Sequence, residues 1–314
     1  LHPASAKQPP NSAKHGANYP LPKAVEGQIR KGSMSTSTQN EQFEIRFWGT
    51  RGTLPTPGPQ FARAGGNTNC TEITCGSHTI VIDAGTGIRE LGSKLISSCE
   101  NQHIHLLLTH AHYDHVEGIP FFAPFFSHGD KLDVYSGPLD GSSGTEETVK
   151  NLMRRPYFPV SPDVFTADVT YNDVVPGEVF HFAENLKVST APLNHPGGAT
   201  AYRIDFNGRS FACITDTEHT PGKPDENVLG LIENVDIFTY DCSLTDEELP
   251  DFAGYGHSTY EEGIRLAKLA KAGAVRAVHH MPFRTDQELD RIEKSMQADE
   301  YDFAMAREND IVKL

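Results

Sequence analysis

The sequence predicts an α/β protein built on β-sheet, and three observations carry that reading. Strand-like runs and helical stretches alternate from Phe43 to the C-terminus, a pattern that buries sheets under helices. Hydrophobic residues make up 37% and charged residues 22% of the chain, the balance of a soluble globular domain. No run approaches the roughly 18 apolar residues that cross a bilayer. The longest, Ile119 to Phe126, is broken by Pro120 and Pro124.

Taken in order, residues 1–40 hold scattered apolar groups among Pro, Ser, Lys and Asn with no strand or helix period, so a disordered tail is expected. Gly32-Ser33-Met34 reads as a cloning junction before a native start, which would make most of the tail vector-derived, with a genuine mobile N-terminus as the alternative. The folded domain is expected over residues 41–314. Strands are expected at FEIRFW (from Phe43), HTIVID (His78), HIHLLL (His103), LDVY (Leu132), LKVST (Leu186), TAYRIDF (Thr200), SFACIT (Ser210) and DIFTY (Asp236). Helices are expected over Thr86–Ser98, Thr145–Arg154, Ser258–Ala272 and Thr285–Gln297. Capping boxes open the last two, Ser258 with Glu261 and Thr285 with Glu288. Residues 119–162, rich in Pro, Gly, Ser and aromatics, read as an insertion or lid. No internal repeat is visible past residue 40.

The 314-residue chain carries Lys+Arg 27 against Asp+Glu 42, a net charge of −15. The tail is basic, so the folded part is more acidic still, which argues against a nucleic-acid groove as the working surface. The cysteines (Cys70, Cys75, Cys99, Cys213, Cys242) are odd in number and form no CxxC pair. That pattern fits a reducing cytosol rather than a disulfide framework or zinc ribbon.

The strongest chemical signal is LLLTHAHYDHVEG, an apolar strand run that ends in His110, His112, Asp114 and His115. A strand end and the turn beyond it project neighbouring side chains into one crevice, so histidines and a carboxylate at this spacing can converge on metal. Further candidates stand at other strand ends. His195 follows LKVSTAPLN, Asp216 follows SFACIT and His280 follows AVRAVH.

HxHxDH followed by a lone His, a lone Asp and a last His resembles the metallo-β-lactamase superfamily, over about Phe43 to Leu314. The resemblance implies a four-layered αβ/βα sandwich with two divalent metal ions at one edge. Carried over, His110, His112 and His195 would hold one ion, Asp114, His115 and His280 the other, and Asp216 would bridge, with Asp114 counted also among the catalytic residues. Asp83, within TIVIDAGTG, would orient a ligand histidine. Between His279 and His280 the choice falls on His280, because in the phosphodiesterase branch an arginine follows the last ligand by four residues, as Arg284 follows His280. His/Asp ligation suits zinc, manganese or iron, and no cysteine stands in the ligand pattern.

Two cations about 3.5–4 Å apart clamp the attacking and leaving oxygens of an ester, so hydrolysis is the implied chemistry. The superfamily's di-iron oxidoreductases place Glu where His112 stands. YDCS and GHST resemble motifs of the ribonuclease Z and phosphoribosyl cyclic phosphodiesterase branch, as does RFWGTRGTLPTPGPQFARAGGNTNC; Tyr240 departs from the His of the ribonuclease motif. The positions that match the branch's proton-donating dyad are Asp241 and His257. A phosphodiester has a poor leaving group, and a histidine that protonates it supplies about 10²–10⁴ in rate; otherwise His257 merely caps or packs. Ribonuclease Z carries a tRNA-gripping arm between the lone His and the bridging Asp, whereas here only a short interval separates His195 from Asp216. A small phosphodiester, a cyclic nucleotide or cyclic sugar phosphate, is therefore the expected substrate, with Phe125, Tyr157 and Phe158 able to stack a base or else to form a lid or dimer surface. Alternatives are tRNA 3′ processing and lactone hydrolysis on the same metal ligands. The resemblance alone implies a homodimer.

Overall fold

The computed structural model describes residues 42–98, 101–137, 144–297 and 301–314; the tail expected over residues 1–40 lies outside them. Two seven-stranded sheets form the centre. In the first, β14 (Ile311–Lys313), β1 (Phe43–Gly49), β2 (Cys70–Cys75), β3 (His78–Ile82), β4 (His103–Leu108), β5 (Lys131–Ser136) and β6 (Asp168–Asp173) lie side by side. In the second the order is β13 (Phe303–Met305), β12 (Val275–Val278), β11 (Ile237–Asp241), β10 (Arg209–Cys213), β9 (Ala199–Phe206), β8 (Leu186–Leu193) and β7 (Val179–Ala183).

The two sheets share one pairing pattern. From β14 to β3 the neighbours are antiparallel and from β3 to β6 parallel. From β7 to β10 they are antiparallel and from β10 to β13 parallel. The C-terminal β14 thus takes in the first sheet the place that β7 takes in the second. This repeat of topology leaves no trace in the sequence, because pairing pattern constrains burial and not residue identity.

Burial alternates along the strands and defines three cores between four layers. Ile45, Phe47, Ile80, Ile82 and Leu107 face Val188, Tyr202, Ile204 and Phe211 between the sheets. Val81, Leu106 and Leu108 point outward and pack under α1 (Ile88–Ile96) through Ile88, Leu91 and Leu95. Ala212, Phe238 and Tyr240 do the same for the second sheet. They lie under α4 (Glu226–Ile232) and α5 (Tyr260–Ala270). Strands covered on both faces read as unbroken apolar runs, which is why LLL and IVI were legible as strands. Among the described residues the other α-helices are α2 (Tyr113–Val116), α3 (Thr145–Leu152) and α6 (Asp286–Met296).

Three expectations are corrected. Residues 119–162 are not one insertion, because β5 lies between β4 and β6 inside the first sheet and α3 buries Val149 against it. Phe125 is fully buried and stacks on Phe165 with ring centroids 4.4 Å apart, so it cannot stack a base. The last long helix but one is capped by Thr259, whose side chain accepts from the Glu262 amide, and not by Ser258; the Ser-Thr pair offered two registers one residue apart. The Thr285–Glu288 capping box is present as expected. Among the described residues no helix is long and apolar enough to cross a membrane.

Candidate metal centre

Parallel strands of both sheets end at one edge, and their C-terminal ends deliver the site. Asp83 follows β3, His110 to His115 follow β4, Asp216 follows β10, Asp241 ends β11 and His279 follows β12. Crevices at the carboxyl ends of parallel strands are where such sheets bind ligands. Asp83, Asp216 and His279 have φ of 63°, 53° and 62°. A non-glycine residue in the left-handed region costs about 1–3 kcal/mol, and such strain gathers at functional sites.

The side chains meet as two triads around one carboxylate. His110, His112 and His195 bring their nitrogens within 4.8 Å of one another, as do Asp114, His115 and His279 with their ligand atoms. Asp216 lies between them. Its Oδ1 is 3.8 Å from His110 Nε2, 3.8 Å from His195 Nε2 and 3.2 Å from His279 Nε2, and its Oδ2 is 3.2 Å from His115 Nε2. Of the seven residues expected from the sequence, six converge here and His280 does not. His280 turns away, its Nε2 at 2.9 Å from the Ala306 carbonyl, whereas His279 sits 3.3 Å from Asp114 Oδ2. The spacing to Arg284 misled. Successive residues at a strand end point to opposite sides, and the positive φ at His279 turns that ring toward the cluster.

The protein aims each ring from behind. His115 Nδ1 donates to Asp83 Oδ2 at 2.7 Å, and Asp83 is itself fixed by the Thr109 amide and hydroxyl. His110 Nδ1 bonds Thr109 Oγ1, His279 Nδ1 bonds Ser243 Oγ, and His195 Nδ1 donates to the Gly256 carbonyl at 2.9 Å. In all four Nε2 is left facing the cluster; holding the far nitrogen this way fixes tautomer and orientation. Gly256 has φ +86°, and a Cβ there would lie 2.2 Å from His195 Nδ1, so only glycine brings this carbonyl close enough. Gly52 packs under His279 for the same reason, a Cβ meeting the ring at 2.1 Å. His112 differs, presenting Nδ1 at 3.0 Å from His195 Nε2.

The electrostatics suit a cation. Burial would by itself lower the pKa of His115 and His279, but the carboxylates around them, Asp216 foremost, raise both well above the ordinary histidine value. Burial would likewise raise Asp216, and His279 and His115 instead hold it well below the usual range. Burial and then the charge of His115 push His110 well below its ordinary value, so it is neutral. Its Nε2 is buried and has no hydrogen-bond partner among the described residues. Buried polar atoms are nearly always paired, and an orphaned imidazole nitrogen beside carboxylates fits a divalent ion.

Beside the cluster lies the expected dyad. His257 Nδ1 is 3.0 Å from Asp241 Oδ2, and the His257 ring stacks on His279 with centroids 4.7 Å apart. Asp241 is fully buried and accepts from the amides of Thr217 and Ser243 and from the Ser243 hydroxyl at 2.7 Å. Several contributors went unread in the sequence. The Thr53 amide donates to Asp114 Oδ2 at 2.7 Å, and the Asn69 side chain lies 3.1 Å from His115 Nε2. Buried Ser258 joins His219 Nδ1 at 2.6 Å to the Tyr240 hydroxyl at 2.9 Å beneath the His257 loop. Thr53 and Asn69 lie inside RFWGTRGTLPTPGPQFARAGGNTNC, Tyr240 and Ser243 inside YDCS and Ser258 inside GHST, so the motifs were in view but these residues' roles in them were not.

Comparison with known proteins agrees with this geometry. Residues 78–280 match the family model of the β-lactamase superfamily domain. A ribonuclease Z of Mycolicibacterium gilvum is 26% identical over 260 residues, 76% of this chain and 85% of that protein. The metallo-β-lactamase fold protein YhfI of Bacillus subtilis superposes with a TM-score of 0.66 at 17% identity, over 87% of this chain and 100% of that one. A diphosphatase of the PhnP family gives 0.62 at 16% identity, over 87% and 98%. A strand-end histidine and aspartate cluster on two sheets of matching topology, together with the family model that spans residues 78–280, establishes that the chain belongs to the metallo-β-lactamase superfamily of hydrolases.

Proposed function

We propose that the protein is a binuclear metal-dependent phosphodiesterase acting on a small phosphodiester such as a cyclic nucleotide or cyclic sugar phosphate. The observation that carries this reading is the His257–Asp241 pair standing against the cluster. His110, His112 and His195 would hold one divalent ion, Asp114, His115 and His279 the other, with Asp216 between them; zinc suits these donors, as do manganese and iron. Bound there, such ions supply Lewis-acid charge and acidify water.

The chain's own residues do the rest. Asp114, held by the Thr53 amide, offers a carboxylate to orient the attacking water. Asp241, fixed by three donors, keeps the Nδ1 proton of His257 directed at itself and leaves Nε2 to carry a proton to the departing oxygen. A lactone, whose leaving alkoxide stays tethered, does not require that histidine.

Two features favour a small substrate over pre-tRNA. Between His195 and Asp216 the chain makes only the β9–β10 hairpin, so no arm emerges there, and the chain is acidic. Exposed aromatics stand on the site loops themselves: Tyr113 between two ligand candidates, Tyr255 just before His257, and Phe283 after His279. With Tyr157, they replace Phe125 as surfaces against which a base or sugar packs. Turnover of a panel of cyclic nucleotides, bis(p-nitrophenyl) phosphate, a lactone and a pre-tRNA by metal-loaded protein tests the proposal. Phosphodiesters should be cleaved far faster than the others, and preferred cleavage of pre-tRNA 3′ trailers would replace this reading with a ribonuclease.

A further inference from the structure

At the opposite end of β4 from the catalytic cluster lies a second group of ligand atoms. His103 and His105 are two apart on β4 and so share one face of the strand. Asp133 on β5 is the register partner of His105. The ligand atoms of the three residues lie within 4.8 Å of one another. Asp133 Oδ2 is 2.7 Å from His103 Nε2 and 3.5 Å from His105 Nδ1.

Two details separate this group from a casual surface cluster. His105 is only 5% exposed, its ring flat against Phe182 with centroids 3.7 Å apart, and its buried Nδ1 has no hydrogen-bond partner among the described residues. Burial, with His103 adding to it, lowers the His105 pKa to about 4, so the ring is neutral at neutral pH. Asp133 is oriented from behind. Thr170 Oγ1 donates to its Oδ1 at 2.5 Å and Lys131 Nζ lies 3.4 Å from the same oxygen, leaving Oδ2 to the histidines. Ligating carboxylates are held in just this way by outer partners. His78 on β3 stacks toward His105 at 6.5 Å and stands near as a further nitrogen donor.

We propose that His103, His105 and Asp133 form a second metal site, separate from the catalytic cluster, for a first-row divalent ion of the zinc class. Two imidazoles and one carboxylate select such an ion over magnesium or calcium, which take oxygen donors. At about 3.3 Å per residue the strand sets this site roughly 17–23 Å from His110, too far to share an ion with it. The ion ties the start of β4 to β5 and so braces the strand whose far end presents His110, His112, Asp114 and His115.

The test is the zinc retained by full-length protein after stripping, reloading and desalting, compared with His103→Ala and Asp133→Asn. Each variant should keep one equivalent fewer than wild type, with far-UV circular dichroism unchanged. His103 is half exposed at its side chain, so its removal should not disturb folding, and Asp133→Asn gives an independent reading. Zinc should also raise the melting temperature of wild type more than that of either variant. Equal zinc in all three proteins would overturn the proposal, leaving the group a hydrogen-bonded cluster. Because the difference is read, the result does not depend on how many ions the catalytic cluster holds.

Discussion

The imidazole rings of His257 and His279 stack with centroids 4.7 Å apart and planes 27° from parallel. One ring belongs to the candidate proton donor and the other to the metal cluster, so the two halves of the chemistry are in van der Waals contact. Ser243 ties them a second time, donating to Asp241 and accepting from His279 Nδ1 at 2.9 Å.

That arrangement makes His279, not His280, the residue on which metal binding turns. His279→Ala should lose at least one of the two ions, measured by elemental analysis after loading. His280→Ala should keep both while losing about 2–4 kcal/mol of stability in denaturant unfolding, since it empties a fully buried site. The reverse pattern would restore the assignment made from the spacing to Arg284.

Ser243→Ala tests the link between the two halves. It leaves every candidate ligand in place but removes the group that holds His279, and outer partners of this kind are worth about 10–100-fold in metal affinity. Calorimetric titration of the metal-free variant should show that loss. An unchanged affinity would mean that Gly52 and the strand end position the ring unaided.

Metal removal should destabilise the fold as well as stop turnover. The site gathers Asp83, Asp114, Asp216 and Asp241 from strands of both sheets, and a ligand bound only by the native state stabilises it by about 4 kcal/mol at a thousand times its Kd. A chelator should therefore lower the melting temperature by several degrees, and added zinc should restore it. No shift on chelation would show that the ions contribute nothing to holding the sheets together.

β3 and β4 could be read from the sequence because burial on both faces leaves an unbroken apolar mark, as in LLL of β4, whereas β2, just as buried but written CTEITC, carries no such mark. β6 and β7 could not, since DVTYND and VFHFA sit at sheet edges and are half exposed. The HxHxDH run was legible because its ligands are neighbours in sequence. At His279 the decision rests on a left-handed backbone turn that no spacing rule records. Phe125 shows the same limit from the other side. A run of aromatics and prolines looks like a lid whether it covers a site or, as here, packs beneath a sheet. The Ser258 helix cap failed by one residue for a local reason, two adjacent hydroxyls competing for one role; Ser258 is instead buried against His219 and Tyr240.

The most direct test of the central claim compares leaving groups in His257→Ala. If His257 delivers the proton to the departing oxygen, kcat for a phosphodiester with an alkoxide leaving group should fall about 10²–10⁴-fold, with metal content unchanged. The loss should shrink sharply for p-nitrophenolate, which departs without a proton, and Asp241→Asn should show a weaker form of the same pattern. Equal losses for both leaving groups, or loss of metal from His257→Ala, would contradict the account and make His257 a binding residue or a ligand.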